Sequence, residues 1–302
     1  MKAPTRAGMT LALTTAVVSG VSIYLNKFAV KAVSDVVVFT TLKNTLVGLA
    51  LIAYLVYTRR QGDFKVSRNS AWPLLGLALI GGSVPFLLFF KGLAVASAPS
   101  AALIHKSLFL WVALLAVPLL GEQLGVWTVA GLGVLAAGQL LTGWPKAWGW
   151  GQGETLILLA TVLWAGETIL VKRLLPTLST MLAAAARMAG GAVVMWSYLL
   201  ATGNAGGALS LTANQWLWVV LTSILLLAYV TTWYAALKRA PATAVTSALT
   251  VGAVITAGLT LALEGKGLNG GQALGLGLMV VGAMLVIGLG LGRREHVGLA
   301  AA

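Results

Sequence analysis

The sequence predicts an all-helical integral membrane protein of ten transmembrane helices, arranged as two inverted five-helix repeats around a central cavity. Composition comes first: of 302 residues 59% are hydrophobic and only 9% charged, with a mean hydropathy of +0.94, a balance that belongs in lipid. Second, the apolar residues fall into ten runs of roughly 18 to 23, the length that crosses a hydrocarbon core. Third, local patterns recur about 142 to 145 residues apart along the chain.

The runs are long, continuous and rich in Leu, Ala and Gly, whereas a transmembrane barrel needs short alternating strands, so each reads as a helix. The first, α1 at 8–30, follows Lys2 and Arg6 in the manner of a signal peptide. It is nevertheless long enough to span and is expected as a retained first helix. Next come α2 (36–57), which carries Lys43, and α3 (73–92), which contains Gly81-Gly82-Ser83-Val84-Pro85 and has Lys91 near its end. Proline removes a backbone hydrogen bond and the glycines relax packing, so α3 should bend there and Gly81, Gly82 and Pro85 are hinge candidates. The helix α4 (98–119) opens on Ala98-Pro99 and carries His105 and Lys106, and α5 (125–142) is glycine-rich. In the second half α6 (154–171) holds Trp164 and Glu167, α7 (180–202) holds Arg187, and α8 (215–237) holds Trp233 and Tyr234. Finally α9 (242–263) follows Ala240-Pro241 and α10 (270–291) is again glycine-rich. Since α8 has no proline to match that of α3, the two halves are not interchangeable hinges, and α3 is expected to move more.

With the N-terminus in the cytoplasm, the cytoplasmic segments collect Lys2, Arg6, Arg59, Arg60, Lys65, Arg68, Lys172, Arg173, Lys238, Arg239, Arg293 and Arg294. The other side holds Lys27, Lys31, Lys91, Lys146 and Lys266. The excess of basic residues places both termini in the cytoplasm. Trp144, Trp148 and Trp150 then fall on the outer side and read as interfacial anchors. The net charge of +13 is thereby explained by topology, and its scatter between apolar runs excludes a nucleic-acid face.

The repeat pairs features in matching helices. Ala98-Pro99 matches Ala240-Pro241, and an acid follows each proline by 23 residues, as Glu122 and Glu264. Gly131, Gly133 and Gly138 match Gly275, Gly277 and Gly282, Lys27 matches Lys172, and Lys43 matches Arg187. An odd number of crossings per half forces the second half to enter from the opposite face, which gives an inverted repeat with its site between the halves. The repeats are expected over 1–145 and 150–302. On these same residues the chain resembles the EamA branch of the drug/metabolite transporter superfamily, from about Gly8 to Leu291, and within it the YddG-type exporters of aromatic amino acids. The resemblance implies a basket-like bundle, its cavity lined mainly by α1, α3, α4, α6, α8 and α9, with α5 and α10 packed at the side.

Ionisable groups inside a span are costly and need a reason. Ala101, His105 and Phe109 share one stripe of α4 and form the expected cavity-lining face. An imidazole can bond a carboxylate or amine while aromatic faces stack or attract an ammonium. A histidine bonded to a neighbouring carbonyl is the competing reading. Lys106, rotated about 100° from His105, is not expected to share its cavity. Lys43 and Arg187 occupy equivalent places, where other branches of the superfamily use basic residues towards anionic substrates; pairing with helix-end carbonyls or snorkelling competes. Glu167 is a candidate proton carrier, as is His105. Trp164, Trp233 and Tyr234 are candidate wall residues, the last two equally placed for an interfacial belt. Glu122 and Glu264 are expected to cap or orient the next helix.

The function expected is a secondary transporter of the bacterial cytoplasmic (inner) membrane, exporting amino acids by alternating access with aromatic ones favoured. Its partners are the amino-acid substrate and the bilayer, and a monomer suffices. Export of other metabolites or cationic drugs is the alternative. No phosphate-binding motif points to ATP, and with no cysteine and two histidines no metal or cofactor is expected. A membrane enzyme would need a clustered catalytic set that this sequence lacks.

Overall fold

The computed structural model describes residues 6–58, 71–143 and 149–289, and among them ten helices are long and apolar enough to cross a membrane. They are α1 Arg6–Ala32, α2 Val36–Thr58, α3 Ala71–Leu93, α4 Ser100–Leu120, α5 Val126–Gly143, α6 Gln152–Leu174, α7 Thr180–Ala201, α8 Ala213–Arg239, α9 Ala242–Glu264 and α10 Gly270–Gly288. Lys2, Arg59, Arg60, Lys65, Arg68, Trp144, Lys146, Trp148, Arg293 and Arg294 lie outside the described residues. In lipid every backbone donor and acceptor must be satisfied inside the segment, and helices do this. Leu13, Leu49, Leu114, Leu159, Val193, Leu217, Ile224 and Leu261 form an exposed apolar belt, the surface a bilayer wets.

Packing follows the duplication. In the first half α6 lies against α3 and α4, and in the second α1 lies against α8 and α9, so each three-helix group borrows its first helix from the other half. The remaining helices pair with their own repeat images, α2 with α7 and α5 with α10. Hydrophobic drive between helices is weak in lipid, and small residues that let backbones approach take its place. In the α5–α10 seam a Cβ on Gly131 would meet the Gly282 carbonyl at 2.8 Å, and one on Gly138 would meet the Gly275 carbonyl at 2.6 Å. Both contacts are reciprocal, each glycine facing its partner's carbonyl at the same distance.

Several helices are broken. In α3 the helical segments Ala71–Ile80 and Val84–Leu93 flank a turn at Gly81–Ser83, where the bend was expected, while α8 is continuous. A second, unexpected pair of breaks divides α4 into Ala98–Lys106 and Leu108–Leu120, and α9 into Ala242–Leu249 and Gly252–Glu264. Ser107 donates its hydroxyl to the Ile104 carbonyl at 2.6 Å, and Thr250, one residue past the repeat position of Ser107, donates to the Ser247 carbonyl at 2.6 Å. These hydroxyls compete for carbonyls that the helix ladder uses. In α7 one turn widens into a π-helix at Ala186–Gly190.

The two faces of the bundle differ. Towards the face that carries the start of α1, a large core joins Leu51, Leu55, Leu77, Val112, Ala116, Val171, Leu175, Leu237, Val245 and Ala248. Here the second half of α4 packs on the first half of α9. Towards the far face the core splits into a cluster of Ala29, Val33, Phe39 and Leu199 and a separate one of Ala101, Ile104 and Ile157. The space between them is the cavity.

Candidate functional site

A cavity of about 570 Å³ lies between the halves and is lined near its mouth by Asn26, Thr142, Leu268 and Gln272, all on the far-face ends of their segments. It reaches the middle of the bundle, where the breaks of α4 and α9 border it through His105, Lys106, Leu249 and Thr250. Gln139 from α5 and Gln272, Leu276 and Met279 from α10 also line it. These helices are therefore part of the wall rather than purely lateral packing.

Its floor is a buried polar cluster. Glu167 of α6 is hydrogen-bonded by the Tyr234 hydroxyl of α8, and the Arg187 guanidinium of α7 stands 3.7 Å from the same carboxylate oxygen. The Arg187 side chain is 10% exposed and that of Glu167 only 2%, so the charges neutralise one another where water is scarce. The π-turn of α7 is what carries Arg187 to this position. Neither pairing was readable from the sequence, which places the three residues on three helices with no register between them.

One side wall is cationic. The Lys43 ammonium donates to Asn26 Oδ1 at 2.9 Å and sits 4.8 Å from the Phe39 ring centroid, while Asn26 Nδ2 donates to Ser22 Oγ at 3.1 Å. Lys43 and Arg187 both border the cavity, and their partners are side chains of α1 and α6 rather than helix-end carbonyls. Lys106 borders it too, contrary to the helical-wheel expectation, from the last position of the first half of α4. Lys43, Lys106 and Arg187 thus face one acid, Glu167.

Other parts of the lining are aromatic. Trp164 meets Phe86 edge-on at 5.1 Å and His105 at 5.0 Å, and Phe89 lies 5.1 Å from His105. Trp164 Nε1 donates to the Gly81 carbonyl at 3.3 Å, so a carbonyl released by the α3 break fixes the indole. Tyr229 and Trp233 stack at 6.0 Å with an interplanar angle of 11°. His105 Nδ1 is buried without a hydrogen-bond partner among the described residues, which removes the reading in which that nitrogen bonds a neighbouring carbonyl.

Two predicted site residues are elsewhere. Ala101 is 1% exposed and packs with Ile104 and Ile157, because the first half of α4 leans on α6 and a methyl is too short to reach past that contact. Tyr234 is fully buried beneath the cavity and braces Glu167, so it is neither wall nor belt, whereas Trp233 lines the cavity and is no belt residue. Gly81 and Gly82 are positions of close approach: a Cβ on Gly82 would meet the Arg187 carbonyl at 2.0 Å, and Asn44 Nδ2 donates to the Gly82 carbonyl at 3.0 Å.

On the closed face Glu122 accepts from the backbone N–H groups of Ala242 at 2.6 Å and Thr243 at 3.2 Å. It therefore caps α9 across the molecule instead of the next helix, α5. Lys172 donates to the carbonyls of Leu237 and Ala240 at the end of α8. On the open face Glu264 binds Lys27 and Lys266 and caps no helix.

Ten spans in two inverted halves, closed on one face and open to a central cavity on the other, describe a membrane carrier. The profile of the EamA-like transporter family matches residues 6–144 and again 151–288. The chain belongs to the EamA-like transporter family. Among solved structures, one titled "Crystal structure of protein" superposes on this EamA-like transporter with a TM-score of 0.77, covering 96% of this chain and 99% of its own at 20% identity. That likeness shows the fold. No curated protein matches the sequence.

Proposed function

We propose that this EamA-like transporter exports amino acids, aromatic ones favoured, across a bacterial cytoplasmic membrane by alternating access, and performs no covalent chemistry. The observation that carries the reading is the cavity's mixed lining: the Lys43 ammonium and the Trp164, Phe86 and His105 cluster border one space. A carboxylate suits the first and a planar side chain the second. Three cations against one acid in the lining speak against cationic drugs as cargo. We place proton coupling on His105 rather than Glu167, because Glu167 is already engaged by Arg187 and Tyr234 while His105 Nδ1 is unpaired. The basic residues Arg6, Lys172, Arg173, Lys238 and Arg239 share the closed face, which supports placing that face and both termini in the cytoplasm. No partner protein is required, since one chain encloses the whole pathway.

The test is transport by purified protein in liposomes loaded with labelled Phe, Tyr or Trp. Efflux well above that of protein-free liposomes is expected, and Lys43→Gln should raise the apparent KM about tenfold, the loss of one charge-assisted hydrogen bond to the carboxylate. Efflux no faster than from empty liposomes for all three removes the amino-acid reading.

A further inference from the structure

The closed face is locked by a lysine and a glutamate that grip one junction. Lys172 holds the carbonyls of Leu237 and Ala240, before Pro241, and Glu122 holds the N–H groups of Ala242 and Thr243, after it. The repeat supplies an image of every part. Lys172 corresponds to Lys27, Glu122 to Glu264, and Ala240-Pro241 to Ala98-Pro99. In this state Lys27 and Glu264 are bonded to each other, and Ser97 Oγ accepts from the Ser100 N–H at 3.2 Å.

We infer that Lys27 and Glu264 form the gate of the opposite state: Glu264 caps the N–H groups of Ser100 and Ala101, and Lys27 binds the carbonyls of Val95 and Ala98. Each acceptor and donor is the repeat position of one occupied on the closed face. Inverted halves exchange conformations, so the contacts that close one face reappear on the other when it closes. The half-buried Lys27–Glu264 pair is a single ion pair of modest cost to break, whereas a carboxylate capping a helix start is engaged by two N–H groups and the helix dipole. Two local changes accompany the switch: the first turn of α4 opens, since the Ala101 N–H is bonded to the Ser97 carbonyl at 2.9 Å, and the end of α9 unwinds. Glu122 follows the left-handed Gly121 (φ 65°), while Glu264 is still the last helical residue before the left-handed Gly265 (φ 66°), so α9 unwinds by about two residues to present Glu264 as Glu122 is presented. The inference rests on the alternating-access reading but not on the identity of the solute.

The chain has no cysteine, so one introduced at Ala257, on the cavity wall, reports opening through its rate of labelling by a membrane-impermeant maleimide added at the open face. Glu122→Gln releases the observed lock and should slow labelling about tenfold, the effect of weakening charge-assisted bonds made in one state only. Adding Glu264→Gln should restore the rate, and Glu264→Gln alone should abolish solute turnover while solute still protects Ala257→Cys from label. If Glu122→Gln leaves labelling unchanged, alternating access itself falls and the gate with it. If Glu122→Gln slows labelling and Glu264→Gln does not restore it, the gate assignment alone is overturned.

Discussion

At the scale of single residues, the Glu167–Arg187–Tyr234 cluster is where a small change has the largest effect. Removing Arg187 leaves a carboxylate in the centre of the bundle with only the Tyr234 hydroxyl to answer it, and breaking a buried pair from one side costs about 3–5 kcal/mol. Arg187→Ala should lower thermal stability in detergent accordingly, while the double variant Glu167→Gln/Arg187→Met should cost less than the sum of the two single changes. Additive costs would show that the two charges are not coupled. The sequence exposed part of this site. Lys43 and Arg187 stood out because a charge inside a span needs a reason and because they share the repeat offset. Their partners were hidden, since nothing in a linear pattern tells which face of α6 meets α7. Tyr234 sits next to Trp233 near the end of its run, and from position alone it resembled an interfacial residue; only its burial against Glu167 separates the two.

At the scale of elements, the break in α3 is a packing device. The Gly82 position has no room for a methyl, as the Arg187 carbonyl would lie 2.0 Å and the Gly191 Cα 2.9 Å away. Gly82→Ala therefore forces α3 and α7 apart and should destabilise by about 1–3 kcal/mol, the usual cost of overpacking. Gly133→Ala, whose added methyl meets open space, should be neutral or gain up to about 1 kcal/mol from helix propensity. Thermal unfolding of both variants in one detergent decides it, and equal effects would refute the assignment. The span limits were legible to within a few residues because hydropathy sets them. The α3 break was legible as well, from its glycines and Pro85. The breaks at Ser107 and Thr250 were not, because a lone hydroxyl residue inside an apolar run is ordinary and most such residues bond the preceding turn without interrupting it. The two residues stand one position out of the α4–α9 repeat register, so the duplication did not mark them either.

At the scale of the whole molecule, ten crossings place the start of α1 and the end of α10 on one face and the α7–α8 connection on the other. With the basic residues of the closed face in the cytoplasm, a fluorescent protein fused at the C-terminus should mature, and alkaline phosphatase inserted at Gly203 should be active. The reverse pattern would turn the whole topology over. The duplication was legible because many weak coincidences shared one offset. The open and closed faces were not, since closure rests on contacts between the halves, such as Glu122 with the Ala242 N–H, that leave no mark on composition.

The seam between α5 and α10 has a consequence for how such a molecule can move at all. Its four glycines bring backbone against backbone across the two halves, with Leu135, Thr142, Met279 and Val286 packed over them. Close approach of that kind opposes sliding of α5 along α10, so in the alternating-access cycle proposed above the two halves turn about this stretch, which keeps the same cross-section against the surrounding lipid.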